Sequence, residues 1–417
     1  MSNEAPFRPG TEPGPLVLFL GVARPGEYET LLEAGWPLGL VRDTDSEFAR
    51  HAPGGFQVIE EVPFSAGVDA VCRRVAGLAR RWRIRAMPVL FEGHVEMGLA
   101  VSRRLGLPGP DLADPAAVRD KTVMRRRFAD RLGTASTRLY GSLFVTPCHT
   151  AAELTTAFHT LSRLVPQHEV ATSGEVLLQV EEYLQGTNHS VDVLVRDGRA
   201  WPTPVVDVLT GMDLGSPDFQ HFARVCPSAL PPQAQAEARE LAARAVRAVN
   251  LDTGVAHVEL IYGPTGPRLV ELAARPGANR HHLLHLAHGI DLMRGYVDVV
   301  SGAEPDLRPT RHMAAAVLTP FPARAGVLRR FVGLDTVRAL PTVQRVTPRV
   351  EPGGRVGTPR DGNLPPLSIV LHGDEPRLRQ DLGLLCRLRE DLFEVEPAPR
   401  EPSVDRDPAA LSAREAQ

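Results

Sequence analysis

Lysine is nearly missing from this 417-residue chain: it occurs once, at Lys121, and every other one of the 47 basic residues is arginine. Either a surface lysine survived by chance, or one position needs a compact, flexible point charge where a planar guanidinium does not fit. Cysteine is scarce as well. Cys72, Cys148, Cys226 and Cys386 stand far apart with no C-x-x-C spacing, which argues against a zinc site or a disulfide framework and suits a reducing, cytoplasmic compartment. No run approaches the roughly 20 apolar residues that a membrane span requires. The short run Leu16 to Val22 lacks the basic flank and the length of a signal peptide, so neither membrane insertion nor secretion is expected. An excess of one charge sign is also lacking: net charge is -3 with pI near 6.5, which leaves no polyanion-seeking surface and argues against a nucleic-acid partner.

What is present is the composition of a soluble globular protein, 43% hydrophobic and 23% charged. The length suits two or three domains, and three lobes are expected between Pro-rich, disordered tails at 1–14 and 397–417. LVLFLGV (Leu16 to Val22) reads as a buried strand, Tyr28 to Ala34 and Asp69 to Trp82 as helices, and Met87 to Phe91 as a second buried strand. Val95 to Leu105 is a helix stopped by Gly106. Such alternation predicts a doubly wound α/β lobe over 15–113.

From Asp114 the texture changes. DPAAVRDKTVMRRRFADRLG predicts one amphipathic helix with Pro115 near its start and Gly133 as its stop. EVLLQVEEYL and SVDVLVRDGRAWPTPVVDVL read as strands turned at Gly186 and Asp197-Gly198, and Gln233 to Val249 as a helix. VAHVELIYGPTGPRLVELAAR alternates around Pro-Thr-Gly-Pro and reads as a hairpin within a central domain over 114–305. Residues 306–396, with the turn Glu351-Pro-Gly-Gly and a helix from Glu375 to Asp391, look like a small α+β lobe. There is no internal repeat.

The hairpin is the most constraining element. Side chains alternate along a strand, so His257 and Glu259 share a face, as do Glu271, Ala273 and Arg275 on the facing strand. Burying these carboxylates among Val258, Leu260, Val270 and Leu272 without a partner is costly. A buried Glu–Arg pair would satisfy them; so would magnesium, a hard cation that takes carboxylate oxygens and completes its shell with water and phosphate.

These residues carry a resemblance. H-x-E (His257, Glu259) followed by E-L-A-A-R-P-G (Glu271 to Gly277) is similar to the metal-binding hairpin of ATP-grasp enzymes. R-D-K-T-V-M around Lys121 resembles the D-K-x-x-M segment that opens that domain, and LLQVEEYLQG (Leu177 to Gly186) resembles the strand and hinge that clamp adenine. The resemblance implies a mixed α/β and α+β fold, the three-lobed ATP-grasp architecture with an N-terminal doubly wound pre-ATP-grasp lobe. It implies ATP and Mg2+ as cofactors, with Mn2+ as a substitute ion. Glu259 and Glu271 would be metal ligands, Arg275 the transition-state cation, and Lys121 a phosphate contact with a catalytic role. Glu181, Glu182, Tyr183, Leu184 and Asn188 would hold the nucleoside.

The implied activity is that of the L-amino-acid ligase branch: a carboxylate is activated as an acyl phosphate and an amine displaces the phosphate. Small-molecule carboxylate and amine substrates, amino acids among them, are the implied partners, and a homodimer is compatible with the pattern. Two departures from the family stand out. Ala273 replaces the usual metal-binding asparagine, and no second lysine exists for the glycine-rich flap, where Arg138 with Gly141 and Ser142 would form a shortened version. A catalytically silent relative that binds nucleotide or a partner is therefore the alternative reading.

Other runs take plainer readings. Arg125 to Arg127 on a helix suits a solvated face. His281, His282, His285 and His288 share helical spacing without acidic or cysteine companions, which favours substrate-side or structural roles over a transition-metal site. Substrate is expected near His257, Asn279, His281, His282 and a loop from Asp218 to Pro227.

Overall fold

A computed structural model of the chain describes residues 14–23, 26–46, 54–132, 145–164, 178, 180–216, 218–359 and 364–397. The expected tails, apart from residues 14 and 397, lie outside these, as do Arg138, Gly141 and Ser142 of the expected flap.

The first lobe runs β1 (Leu16–Gly21), α1 (Glu29–Glu33), β2 (Leu38–Asp43), β3 (Val58–Val62), α2 (Val68–Ala79), β4 (Ile84–Ala86) and α3 (Val95–Leu105). Its four strands form a parallel sheet in the order β3-β2-β1-β4. Every residue of β1 is buried, as expected of a parallel strand covered on both faces. Gly106 ends α3 in the left-handed conformation, φ 61°, where glycine has no Cβ to clash. The strand expected at Met87 to Phe91 is displaced: the ladder is made by Ile84–Ala86, and Met87 to Leu90 follow it as buried chain without strand structure. Pro88, which has no N–H to donate, interrupts it.

The chain then forms β5 (Asp111–Leu112), α4 (Ala116–Arg119), α5 (Lys121–Leu132) and α6 (Ala151–Leu164). The sequence pattern predicts one helix across 114–133, and there are two. Asp120 is extended, with ψ 112°, and its carboxylate accepts the N–H groups of Thr122 at 2.7 Å and Val123 at 3.2 Å. A side chain that caps the backbone in this way restarts a helix, and it makes Lys121 the first residue of α5.

The core of the molecule is a ten-stranded sheet. Its strands include β6 (Thr187–Arg196), β7 (Arg199–Pro202), β8 (Val206–Thr210) and β9 (His221–Cys226), then, after α7 (Pro232–Ala248), β10 (Leu251–Gly263) and β11 (Gly266–Ala273). Helices α8 (Arg280–His288) and α9 (Leu292–Val300) follow. The third segment contains β12 (Ala314–Leu318), β13 (Gly326–Phe331), α10 (Leu334–Arg338), β14 (Val343–Pro348), β15 (Arg355–Val356), β16 (Leu367–Gly373), α11 (Glu375–Leu388) and β17 (Phe393–Glu396). The sheet order is β11-β10-β6-β8-β9-β12-β16-β14, with β5 paired to β10 and β7 to β6. Three strands of the third segment thus extend the central sheet, and only β15-β13-β17 form a sheet of their own.

Two expectations fail locally. Residues 180–185 of the expected EVLLQVEEYL strand are irregular, and the expected Asp218 to Pro227 loop is mostly strand β9. The turn at Asp197 and Gly198 holds, with φ 50° and 71°, the pair of positive values that a two-residue hairpin of the matching twist requires.

The two faces of β10 divide the labour. Ala256, Val258 and Leu260 join the core that α7 packs with Ala238, Leu241, Ala242 and Ala245. The alternate residues Val255, His257 and Glu259 face the other way, where Val255 packs with α8 and α9. Among the described residues no helix is long and apolar enough to cross a membrane, and the four cysteines are unpaired.

Candidate active site

The β10–β11 hairpin brings its two acids together. Glu259 is the cross-strand partner of Glu271, and His257 that of Ala273, so both carboxylates stand on one face as direct cross-strand neighbours. Simple alternation missed one device. The register shifts between Glu259 and Leu260, where Leu269 rather than Val270 takes the next position. This bulge lets the acids oppose each other while Leu260 and Leu269 remain in the core behind them.

Lys121 approaches from the first turn of α5. Its Nζ lies 2.5 Å from Glu271 Oε1, with each side chain about one-fifth exposed. Burial pushes the Glu271 carboxyl above the usual glutamate range, Lys121 pulls it back, and Glu259 and Glu92 push it up again. Three carboxylates thus act on one another here, with Lys121 on Glu271 and Arg275 on Glu92.

Behind Glu259 runs a relay that the sequence pattern does not announce. His257 is 6% exposed, its Nδ1 2.6 Å from Asp192 Oδ1 and its Nε2 3.4 Å from Glu259 Oε1. The other Asp192 oxygen accepts the N–H of Gly277 at 2.9 Å. Burial alone would pull the imidazole down, but Asp192 and Glu259 outweigh it and the pKa is raised. His257 thus faces two carboxylates at once. The signal for Asp192 was a carboxylate inside the otherwise apolar alternation S-V-D-V-L-V.

Arg275 leaves the strand. β11 ends at Ala273, and the guanidinium turns to the first lobe, where Nε lies 3.0 Å from Glu92 Oε2. Glu92 occupies a single helical turn, Glu92–His94, just before α3. It is a second residue missed from sequence, though it directly follows the apolar run Met87 to Phe91. Arg280, 2% exposed, donates Nε to Ser190 Oγ at 2.9 Å.

The remaining expected residues divide. Asn188 and Glu259 line one small cavity together with His189, Val208 and His221, which places the expected nucleoside contact beside the expected metal ligand. Glu181 pairs with Arg125 of α5. Glu182 pairs with Arg268 at 3.0 Å, and Tyr183 is 48% exposed beside the rings of His149 and Phe219; Leu184 is half-buried. The arginine triplet is not a uniformly solvated face: Arg125 has Glu181, Arg127 has Asp114 at 2.9 Å, and only Arg126 is exposed.

Asn279 precedes α8 with φ 62°. His281 approaches Gly26 of the first lobe, and burial, reinforced by Arg345, drives His282 down to about 4. Among the described residues no group of three or more His, Cys, Asp or Glu side chains is placed to hold a metal.

Comparison with known proteins follows the same lines. Residues 136–282 match the ATP-grasp domain family. The chain is 33% identical over 215 residues to carnosine synthase 1 of Gallus gallus, a match covering 47% of this chain and 21% of that protein. It therefore spans about a fifth of that relative's length. An uncharacterized protein of Sinorhizobium fredii is 27% identical over 320 residues, covering 69% of this chain and 64% of its own. Among solved structures, an L-amino acid ligase from Bacillus licheniformis superposes with TM-score 0.72 at 16% identity, covering 93% of this chain and all of that one. A phosphoribosylglycinamide synthetase from Anaerococcus prevotii gives 0.62 at 13% identity, over 92% and 99% of the two chains.

Proposed function

Because the chain carries an ATP-grasp domain within the ATP-grasp fold, we propose that it is an ATP-dependent carboxylate–amine ligase. The γ-phosphoryl group of ATP passes to a substrate carboxylate, giving ADP and an acyl phosphate; an amine then attacks the acyl carbon, expels phosphate and leaves an amide after losing a proton. The observation that carries this reading is the opposition of Glu259 and Glu271 across the hairpin, with the chain's single lysine 2.5 Å from the second of them.

Magnesium, with manganese as a substitute, fits this donor set. Two carboxylates held side by side repel, Glu271 is driven toward protonation by burial and by Glu259, and a hard cation relieves both costs. Glu259 and Glu271 would hold it, and phosphate oxygens and water would take the positions that Ala273 does not fill. When bound, the ion neutralises charge on the transferring phosphoryl group. Lys121 places an ammonium where nucleotide phosphates reach the hairpin. Arg275, steadied by Glu92, offers a fixed guanidinium to the oxygens that gain charge as the acyl phosphate forms and collapses. Asn188 is positioned for a ribose hydroxyl, and His257 holds Glu259 in one rotamer through Asp192.

Amino acids are the substrate class best supported, since a structural neighbour is named an L-amino acid ligase and a sequence relative a carnosine synthase. A silent nucleotide-binding relative is the second reading, favoured by Ala273 in the asparagine position and by the lack of another lysine. ADP release across amino-acid pairs with magnesium, in wild type and Glu271→Ala, separates them. The ligase reading requires turnover that falls at least ~100-fold in the variant. ATP binding with no turnover for any pair favours the silent protein.

A further inference from the structure

The site face holds two guanidinium groups that Asp192 and Glu259 act on only from beyond ion-pairing distance. Arg280 gives Nε to Ser190 and Nη1 to the Ala278 carbonyl at 3.1 Å. Arg224, on β9, gives Nη1 to Thr319 Oγ1 at 2.9 Å and to the His221 carbonyl at 3.2 Å. Among the described residues neither lies within ion-pairing distance of a carboxylate. The Nε of Arg224 is buried without a hydrogen-bond partner, and its Nη2 makes no bond either. With Nη1 spent on threonine and a carbonyl, the Nε–Nη2 edge of Arg224 is the one whose two parallel N–H groups match a carboxylate.

Strand register places Arg224 on the face of the hairpin acids. Arg224 pairs with Val208, and Val208 with Asn188, and directly paired residues share a sheet face, so Arg224 lies on the face of Asn188, Ser190 and Glu259. A register shift after Leu209 brings His221 opposite Thr210, hence onto the same face, and His221 Nε2 reaches to 3.9 Å from Glu259 Oε2. β9 is three strands from β10, however, so Arg224 stands to one side of the two acids rather than over them. Burial and the neighbouring Arg280 bring the Arg224 guanidinium down to about 9, with Glu259 opposing them only in part. Two like charges in one buried space are costly without an anion between them.

We propose that Arg224 and Arg280 form a seat for a second substrate carboxylate, one that is not phosphorylated and survives in the product. The phosphoryl group already has Lys121, Arg275 and the hairpin, and the offset of β9 suits the far end of a substrate. The amine-bearing amino acid supplies such a carboxylate directly; a dicarboxylic acid partner would supply the same chemistry from the other substrate. The proposal rests on the ligase reading and sharpens its substrate class.

The test compares amine partners offered as free acids and as primary amides, by ADP release, in wild type, Arg224→Gln and Arg224→Lys. The wild type should favour the free acid in kcat/KM by on the order of 100-fold, because an amide leaves the buried fork unanswered. Arg224→Gln should shrink that ratio to within ~3-fold. Arg224→Lys keeps the charge but not the fork and should fall between, which also controls for folding. A parallel pair, glutamate against glutamine as the acid partner, locates the carboxylate: discrimination appearing only there assigns it to the acid. Equal use of acids and amides in both arms by the wild type, or ratios unchanged in Arg224→Gln, overturns the seat. If no pair releases ADP, the ligase reading fails first, and calorimetric titration of the same free acids and amides still decides. Free-acid binding lost in Arg224→Gln sustains the seat, and no difference between the proteins rejects it.

Discussion

Lys121 Nζ and Glu271 Oε1 form a 2.5 Å ion pair between the first residue of α5 and the β10–β11 hairpin, so the only lysine of the chain is tied to one of the two proposed metal ligands. Lys121→Met leaves that carboxyl buried among Glu259 and Glu92 with no ammonium. The expected loss is about 2 kcal/mol of stability, below the ~3 to 5 of a fully buried pair because both side chains are one-fifth exposed. Removing the ammonium raises the Glu271 pKa further, and a carboxyl with a raised folded pKa binds its proton more readily in the native state. The destabilisation should therefore be largest at neutral pH and shrink as pH falls toward 4.5, the ordinary value. Denaturant melts across pH in metal-free buffer check the slope; calorimetry with ATP should show affinity down at least ~10-fold, with Lys121→Arg failing to restore it.

His94 gives a second pH signature, in the first lobe. It is 4% exposed, with Nε2 2.9 Å from Asp43 Oδ2 and the rings of Phe64 and Phe91 against it. Burial pulls its pKa below 6.5, and the Asp43 pair opposes this without prevailing. The unfolded chain then binds the proton more readily than the native one. Stability is full above pH 6.5 and is lost as pH falls through the lowered folded value. Melting temperatures from pH 8 to 5 should show this loss in wild type and a flatter profile in His94→Gln; parallel profiles would remove His94 from the account.

The hairpin was legible because period-two alternation, two acids and a turn lie within one short stretch, and such local patterns survive folding. The helix over 95–105 and its Gly106 stop were legible for the same reason. Features that depend on distant partners were not. The break at Asp120 arises because its side chain competes with the helix backbone. The merging of β12, β14 and β16 into the central sheet depends on edges that no local pattern describes. Asp192 and Glu92 entered the site only when strands and lobes met, since the residues they hold lie 65 positions away for Asp192 and in another lobe for Glu92.

Gly277 has a steric reason to be glycine. A Cβ there would run into the His257 ring and the Arg280 Cγ, and neither can yield: the imidazole is held by Asp192 and Arg280 is 2% exposed. Gly277→Ala should cost about 2 kcal/mol in urea unfolding and should lower turnover by displacing His257 from Glu259. Gly383, inside α11, is the contrasting case, because a methyl group added there would meet only the flexible end of Arg387, at 3.8 Å. Gly383→Ala should gain about 0.5 to 1 kcal/mol. Equal effects at the two glycines would mean that the crowding around His257 is not what fixes residue 277.

Glu92 and Arg275 join the first lobe to the hairpin through a 3.0 Å contact. Arg275 otherwise donates to the carbonyl of its neighbour Pro276 at 3.0 Å, a bond that does not fix the direction of the guanidinium. Glu92→Gln keeps the shape of the side chain and removes the charge that aims the arginine. It also removes one of the carboxylates that raise Glu271, so ground-state binding at the hairpin should not weaken. The expected signature is a kcat lowered by about 10-fold, from misplacement of the proposed transition-state cation, with the KM for ATP changed by less than ~2-fold. A matching rise in KM with kcat intact would instead assign Glu92 to nucleotide binding, and wild-type values for both would show that Arg275 keeps its aim without the first lobe.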